Sequence, residues 1–233
     1  MSEKLNAQKV FDKAKGEGRK ILTEYESKDV LRAYSIPTTV EMPAMSADEA
    51  ATAAAKIGFP VVLKVYAAEI SHKSDVGGVK VNLKSADEVK KAFDEIMSSV
   101  KQHKPDAKNV GVLVENMVAP GQEIIIGATK DPQFGPMVMF GLGGIFVEVL
   151  KDVTFRLPPI SKADAVNMMS EIKGAPILKG VRGAKPVDED AVAGILVKAS
   201  KLVQDFPEIA ELDMNPVFAY DRGAVVVDAR ILL

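Results

Sequence analysis

The run SHKSDVGGVKVNL, residues 71–83, sets His72, one of only two histidines in the chain, among charged residues and just ahead of a glycine pair and a strand-like segment. Imidazole has a reference pKa near ~6.5, so at cellular pH it is available as a nucleophile or is merely a solvated side chain. His103, in KQHKPDA, reads as a solvated loop residue. With two histidines and no cysteine, thiolate and multi-histidine zinc sites are excluded, and any metal is a hard, oxygen-liganded Mg2+ or Mn2+.

Two further groups could handle phosphate and metal. Lys64 sits inside the apolar run VVLKVY. It reads either as an edge-strand lysine whose head reaches water or as a cation fixed on a rigid element facing phosphate oxygens. Gly77-Gly78 is either a turn between strands or a place where backbone N–H groups approach a phosphate that a Cβ would block. Near the C-terminus, ELDMNPVFAYDRGAVVVDAR puts Asp213 and Asn215 two residues apart, on one face of a strand, and Asp228 on the returning strand. If the register cooperates, these form an oxygen cluster of the kind that holds Mg2+ on nucleotide phosphates; otherwise they are the polar outer face of a hairpin. Familiar nucleotide signatures are missing: no GxxxxGK followed by Ser or Thr occurs, and GLGGIF at 141–146 has phenylalanine where a dinucleotide fingerprint needs its third glycine.

The elements that must position these residues are legible from spacing. Ser46 to Glu49, Ser85 to Glu88 and Ser161 to Asp164 are helix-start signatures, each leading into an amphipathic run. The segment 188–206 is a longer and more apolar helix, and an earlier one covers TEYESKDVLRAY and ends before Ile36-Pro37. Short β-rich runs fall at 60–66, 78–83, 109–117, 122–129, 135–141, 215–220 and 224–231. Their order implies a small antiparallel sheet covered by helices in the first half, a mixed second half with longer strands, and a break near Pro120-Gly121.

Composition narrows the class. The chain has 233 residues, 47% of them hydrophobic, enough for one or two domains, and a formal net charge of -2 that argues against nucleic-acid or acidic-membrane binding. The charged N-terminus lacks the pattern of a secretory signal, and the most apolar segment, 134–150, is broken by Pro136 and four glycines and carries Glu148. These features predict a soluble, cytoplasmic protein that neither spans a membrane nor binds nucleic acid.

Taken together, the strand lysine, the glycine pair, the VLVENM strand with Glu123 beyond it and the ELDMNPV…VVVDAR hairpin resemble an ATP-grasp nucleotide-binding unit. More narrowly, the chain is similar to the β subunit of NDP-forming acyl-CoA synthetases of the ADP-forming acetyl-CoA synthetase type, and more distantly to the succinyl-CoA synthetase β subunit. The block ENMVAPGQEIIIGATKDPQFGPMVMFGLGGIFVE carries most of the similarity. The resemblance implies a two-lobed α+β fold with nucleotide held between two mixed subdomains. It divides the chain into an N-terminal helical extension (1–21), a helix on the large lobe (22–38), a small lobe (39–115) and a large lobe (116–233).

It further implies roles. Adenine lies along Glu115, Asn116 and Met117, Glu123 takes the ribose hydroxyls, Lys64 contacts phosphates, and Gly77 and Gly78 close over them. Asn215 and Asp228 hold Mg2+, and Asp213 stands where the succinate enzymes have a glutamate that holds a phosphohistidine. His72 corresponds to a second phosphorylation site. ADP or ATP is then the substrate, and the partner is an α subunit, in an α2β2 assembly, that carries the CoA- and acyl-binding domains and its own phosphorylatable histidine. Two alternatives stay open: an ATP-grasp carboxylate–amine ligase, in which no histidine is phosphorylated, and a non-catalytic ATP-sensing subunit.

Overall fold

The computed structural model describes residues 2–67, 70, 73–144, 147, 149–181 and 183–233. It comprises two compact units, 39–119 and the combination of 1–38 with 120–233.

In the unit 39–119, four strands, β1 (Glu41–Ala44), β2 (Val61–Tyr66), β3 (Val79–Leu83) and β4 (Gly111–Asn116), form an antiparallel sheet in the order β1-β4-β2-β3. Helices α3 (Ala47–Ile57) and α4 (Ala86–His103) start where Ser46 and Ser85 accept hydrogen bonds from the backbone N–H of Glu49 and Glu88. Each cap satisfies one of the N–H groups that a helix start leaves unpaired. Both helices pack their apolar stripes on the sheet face bearing Val61, Leu63, Val65, Val112 and Val114, so Lys64 and Glu115, one residue out of phase, lie on the other face. His103 is the last residue of α4, its ring beside the Ser99 carbonyl, and not a loop residue as expected. The strand β1 escapes sequence reading because EMPA is short and contains Pro43, which β1 tolerates as an edge strand.

In the larger unit a six-stranded antiparallel sheet runs β10-β8-β5-β6-β7, with β9 also paired to β8. Its strands are β5 (Gln122–Asp131), β6 (Gly135–Leu142), β7 (Val153–Arg156), β8 (Glu211–Ala219), β9 (Ala224–Val226) and β10 (Ala229–Leu232). Four helices, α1 (Ser2–Gly16), α2 (Glu24–Ala33), α5 (Lys162–Glu171) and α6 (Glu189–Asp205), share a core with Ile124, Ile126, Phe140, Leu212, Met214 and Val217. The expected strand 215–220 begins earlier, at Glu211, and the expected strand 224–231 is split at Val227-Asp228 into β9 and β10. Helix α1 is part of this core: Phe11 is fully buried and meets Phe206 edge-to-face at 4.7 Å. Among the described residues no helix is long and apolar enough to cross a membrane.

Helix α2 is anchored by a capping box. Thr23 N–H donates to Glu26 Oε2 (3.0 Å), Glu26 N–H donates to Thr23 Oγ1 (3.3 Å), and Arg19 grips both Glu26 oxygens at 2.8 and 2.7 Å. Burial pushes the Glu26 carboxyl up, but the Arg19 and Thr23 contacts more than offset it and hold it below the usual glutamate value. A carboxyl lowered by folding stabilises the fold above its unfolded-state pKa and ceases to do so as pH falls through the folded-state value. Glu26→Ala is therefore expected to cost on the order of 1.5–3 kcal/mol at neutral pH. Denaturant unfolding followed from pH 7 downward should show the gap to wild type closing below about pH 4.5, the reference value; a pH-independent gap would mean that the ion pair is not its source.

Candidate functional site

The smaller unit does not place Lys64 on an edge. Strand β2 lies between β4 and β3, and Lys64 is only 7% exposed. In the register Lys64 opposes Leu113 and Val62 opposes Glu115, so Lys64 and Glu115 are diagonal neighbours on one face, with Lys64 Nζ 2.9 Å from Glu115 Oε2. Glu115 is 1% exposed and has Glu41 directly across β1. The reading of Lys64 as a water-seeking edge lysine is thereby corrected: it is a cation held on an interior strand by a buried carboxylate. Glu41, on the unrecognised strand, is the member of this group that sequence reasoning missed.

At the end of β4, Asn116 N–H donates to the Val40 carbonyl at 3.0 Å while its side-chain oxygen accepts from Val40 N–H at 2.7 Å. Met117 N–H donates to the Pro60 carbonyl at 3.1 Å, and its side chain is part-exposed. The three-residue run Glu115-Asn116-Met117 is thus held rigid by its own unit. Gly77 and Gly78 do not present free amides. Gly77 N–H bonds to Ser74 O at 3.0 Å and Gly78 N–H to Lys73 O at 2.8 Å. Their glycine character has a local cause: Gly77 has φ +62°, and a Cβ on Gly78 would stand 2.5 Å from Val65 Cγ1. His72 lies outside the described residues.

The larger unit gathers its expected residues on the sheet face away from the helices. Pairing of Met214 with Ala229 and of Asp213 with Arg230 places Asp228 opposite Asn215, whose N–H donates to the Asp228 carbonyl at 3.1 Å. Two successive cross-strand pairs, Asp213 with Arg230 and Asn215 with Asp228, therefore share one face. The register between β5 and β8 shifts just beyond, between Ile124 and Ile126, and absorbs an extra residue of β8 at Asn215-Pro216. Glu123, at the start of β5 on the same face, is exposed, and Gly143 N–H donates to its carbonyl at 2.9 Å. A side chain at Gly143 would meet Glu123 Cβ at 2.9 Å, so the glycine keeps the carboxylate's surroundings open.

Burial, followed by the nearby Glu211 and Asp228 carboxylates, raises the Asp213 pKa to about 6, with Arg230 pulling the other way. Burial is the larger cause, and the two neighbouring carboxylates add to it. A carboxylate, an amide oxygen and a half-buried second carboxylate on adjoining backbone suit a hard divalent cation, and Asn215 and Asp228 are the residues that would hold it.

The sequence model of the ATP-grasp domain matches residues 13–233. The chain belongs to the ATP-grasp family. It is 49% identical over 233 residues to the β subunit of acetate–CoA ligase (ADP-forming) I of Pyrococcus furiosus, covering 100% of both chains. It superposes with a TM-score of 0.96, at 50% identity over 97% of this chain and 99% of that one, on the dinucleotide-forming acetyl-coenzyme A synthetase 1 of Ca. Korarchaeum cryptofilum in complex with coenzyme A, Ca-AMPCP and HgCl+. A second structure of that synthetase, with coenzyme A and Mg-AMPPCP, has its phosphohistidine segment pointing towards the nucleotide-binding site and gives a TM-score of 0.87 at 47% identity, over the same 97% and 99%. A weaker similarity, 31% identity over 88% of this chain and 53% of the other, is to the β subunit of succinate–CoA ligase (ADP-forming) of Natronomonas pharaonis.

The Lys64–Glu115 pair makes a stability prediction that must precede any test of binding. Removing one partner of a buried ion pair strands the other charge, so Lys64→Met should destabilise the chain by about 3–5 kcal/mol, whereas replacing both by apolar groups of similar volume removes the stranded charge. Lys64→Met/Glu115→Met is accordingly expected to be more stable than Lys64→Met alone. Chemical denaturation of the single and double variants decides it, and strictly additive losses would show the two side chains to be uncoupled.

Proposed function

We propose that this chain is the nucleotide-binding β subunit of an ADP-forming acyl-CoA synthetase and passes a phosphoryl group between a phosphohistidine and ADP or ATP. The observation that carries the reading is the end-to-end match to a β subunit, 49% identical with 100% of each chain covered, supported by superposition on a synthetase seen with Mg-AMPPCP. With an α subunit, expected in an α2β2 assembly in the cytoplasm, the overall reaction is acyl-CoA + phosphate + ADP = acid + CoA + ATP. The partner supplies the CoA- and acyl-binding domains and the histidine phosphorylated first.

Within this reading His72 receives the phosphoryl group from the α subunit and delivers it to ADP. In delivery the P–N bond of phosphohistidine breaks, its electron pair returns to the ring nitrogen, and a terminal oxygen of the ADP β-phosphate forms the new P–O bond. The imidazole takes up a proton, so a phosphohistidine dianion, ADP3- and one proton give neutral histidine and ATP4-. Asp213, mostly ionised at pH 7 with a pKa of about 6, would offer its carboxylate to the free ring N–H of a phosphohistidine.

Lys64 offers the phosphates a positive charge whose position is fixed before they arrive, and Gly77 and Gly78 shape the backbone of the loop that follows His72. Glu115, Asn116 and Met117 provide the rigid edge for the adenine, and Glu123 accepts from the ribose hydroxyls. Asn215 and Asp228 would hold Mg2+, which when bound neutralises phosphate charge. Catalysis here is positioning and electrostatics, as phosphoryl transfer requires little else from a protein.

The test uses the β chain assembled with its α partner, with acid-labile, base-stable label transfer from ATP as the readout. His72→Ala is expected to bind Mg-ADP as wild type does and to lose label transfer and acyl-CoA synthesis. Asp228→Asn, which nearly conserves shape, should lower transfer most at limiting Mg2+ while leaving the melting temperature without nucleotide unchanged. Wild-type turnover by the His72→Ala complex would sink the relay and favour direct exchange between nucleotide and the α subunit.

A further inference from the structure

In the larger unit, the chain between β6 and α6 forms a surface that no role above uses. Two grooves meet at Pro176, in the short helical turn Ala175–Leu178. One, of about 590 Å³, is walled by Val166 and Ile172 on one side and Val181 on the other; the second, of about 310 Å³, is walled by Leu150 and Ile177. Leu150, Val166 and Val181 are exposed, at 60, 37 and 43%, and Val149, next to Leu150 in the chain, is 72% exposed. Single apolar side chains scattered over a surface are ordinary, but a group of them bordering one pair of grooves marks a place where another molecule sits.

The surface is held in shape before anything binds. Buried Asp152 accepts the N–H groups of Lys173 and Gly174 on its two oxygens, each at 2.7 Å, and so ties the start of the turn to the segment that leads into β7. Gly174 is required there, because a Cβ would collide with the Leu142 side chain. Immediately before Asp152, Lys151 holds φ +50°, a left-handed conformation that costs a residue with a side chain, at the bend where Val149 and Leu150 stay exposed. A surface already fixed in this way loses little freedom on association.

Its charge indicates the occupant. Lys162, Lys179 and Lys185 are neutralised by Asp190, Glu189 and Asp221 at 2.9, 2.6 and 2.6 Å. Lys151, which adjoins Asp152, and Lys173, whose N–H binds it, are exposed and make no ion pair among the described residues, while the Asp152 carboxylate is occupied by backbone amides. A two-fold contact of this patch with its own copy would oppose cations to cations. The complementary surface is apolar with carboxylates at its rim, and it belongs to a different chain.

We propose that this surface docks the α subunit, through a segment whose apolar side chains fill the two grooves beside Pro176 and whose carboxylates meet Lys151 and Lys173. This rests on the phosphoryl-transfer reading above, in which an α subunit must be held stably enough for a phosphoryl group to pass between the chains. A stable interface needs about 800 Å² from each partner, with most of the affinity carried by a few anchors seated in central pockets. The grooves supply such pockets, and the two lysines supply a charged rim that sets orientation and partner choice.

The experiment measures assembly of the full β chain with its α partner by analytical ultracentrifugation and calorimetry, at low and at high salt. Leu150→Asp and Val181→Asp each put a charge into a groove from an exposed position, so the β chain should keep its melting temperature and bind Mg-ADP within about twofold of wild type. The Kd for the α subunit is expected to rise on the order of 10–100-fold in each. Lys151→Glu/Lys173→Glu should weaken assembly most at low salt, and chiefly by slowing association. Acyl-CoA synthesis by these variants should return to the wild-type rate when α is supplied in excess, which a defect in transfer itself would not allow. Wild-type affinity in both aspartate variants overturns the proposal, and so does tighter assembly in the glutamate double, which would make the partner's rim basic. Self-association of the β chain that Val181→Asp abolishes while α binds normally also overturns it, by making a second copy the occupant. Should an aspartate variant fold poorly, Leu150→Ser and Val181→Ser decide by the same measurements. A wild-type complex that assembles but forms no phosphohistidine would refute the function on which the proposal rests, a result separable from normal assembly by wild type and variants alike, which refutes the docking surface alone.

Discussion

The arrangement depends on the register of β8 between its two neighbours. Successive side chains of a strand point to opposite sides, so with helices covering one face of the six-stranded sheet, Leu212, Met214 and Val217 are committed to the core. Asp213 and Asn215 are then committed to the other face, and pairing of Asp213 with Arg230 brings Asp228 across from Asn215. A slip of one residue would bury the carboxylates among Ile124, Ile126 and Phe140 and turn the core outward. Packing free energy distributed over the whole helical layer therefore fixes the position of a few polar atoms, without any loop having to hold them. The added residue at Asn215-Pro216 is tolerated because it comes at the end of this paired stretch, where β8 passes from β10 to β9.

Much of this was legible in the sequence because it depends on local spacing. The Ser46, Ser85 and Ser161 caps form as read, since a serine followed three residues later by an acid satisfies backbone donors wherever the helix packs. The hairpin of Asp213, Asn215 and Asp228 was readable from a two-residue period and a turn at Asp221-Arg222-Gly223, and its alignment was left to the register, which no periodicity supplies. Resemblance carried the assignment of Glu115, Asn116, Met117, Glu123 and His72. What stayed hidden was relational. The interior position of β2, and with it the burial of Lys64, follows from strand order, which no local spacing supplies. Glu41 was missed because Pro43 masks its strand, and Arg230 because only pairing reveals what stands opposite Asp213.

The glycine pair has a local structural cause. A sequence with Gly77-Gly78 between two strands allows amides aimed at a ligand, but here both amides bond within the turn that closes the short 3-10 segment Ser74–Val76. Their lack of side chains is accounted for by a left-handed φ and by the approach of Val65. What the pair provides is a sharp, internally bonded stop to the segment that follows His72, leaving β3 free to pair with β2 immediately afterwards.

Lys64 and Arg230 show two different ways of placing a cation on a sheet. A buried cation is costly without a partner, and Lys64 has Glu115 Oε2 at 2.9 Å. Such a cation is fixed in place and partly satisfied by its partner. Arg230 needs no such help to stay charged, since guanidinium does not deprotonate in proteins, and its buried Nε has no hydrogen-bond partner among the described residues.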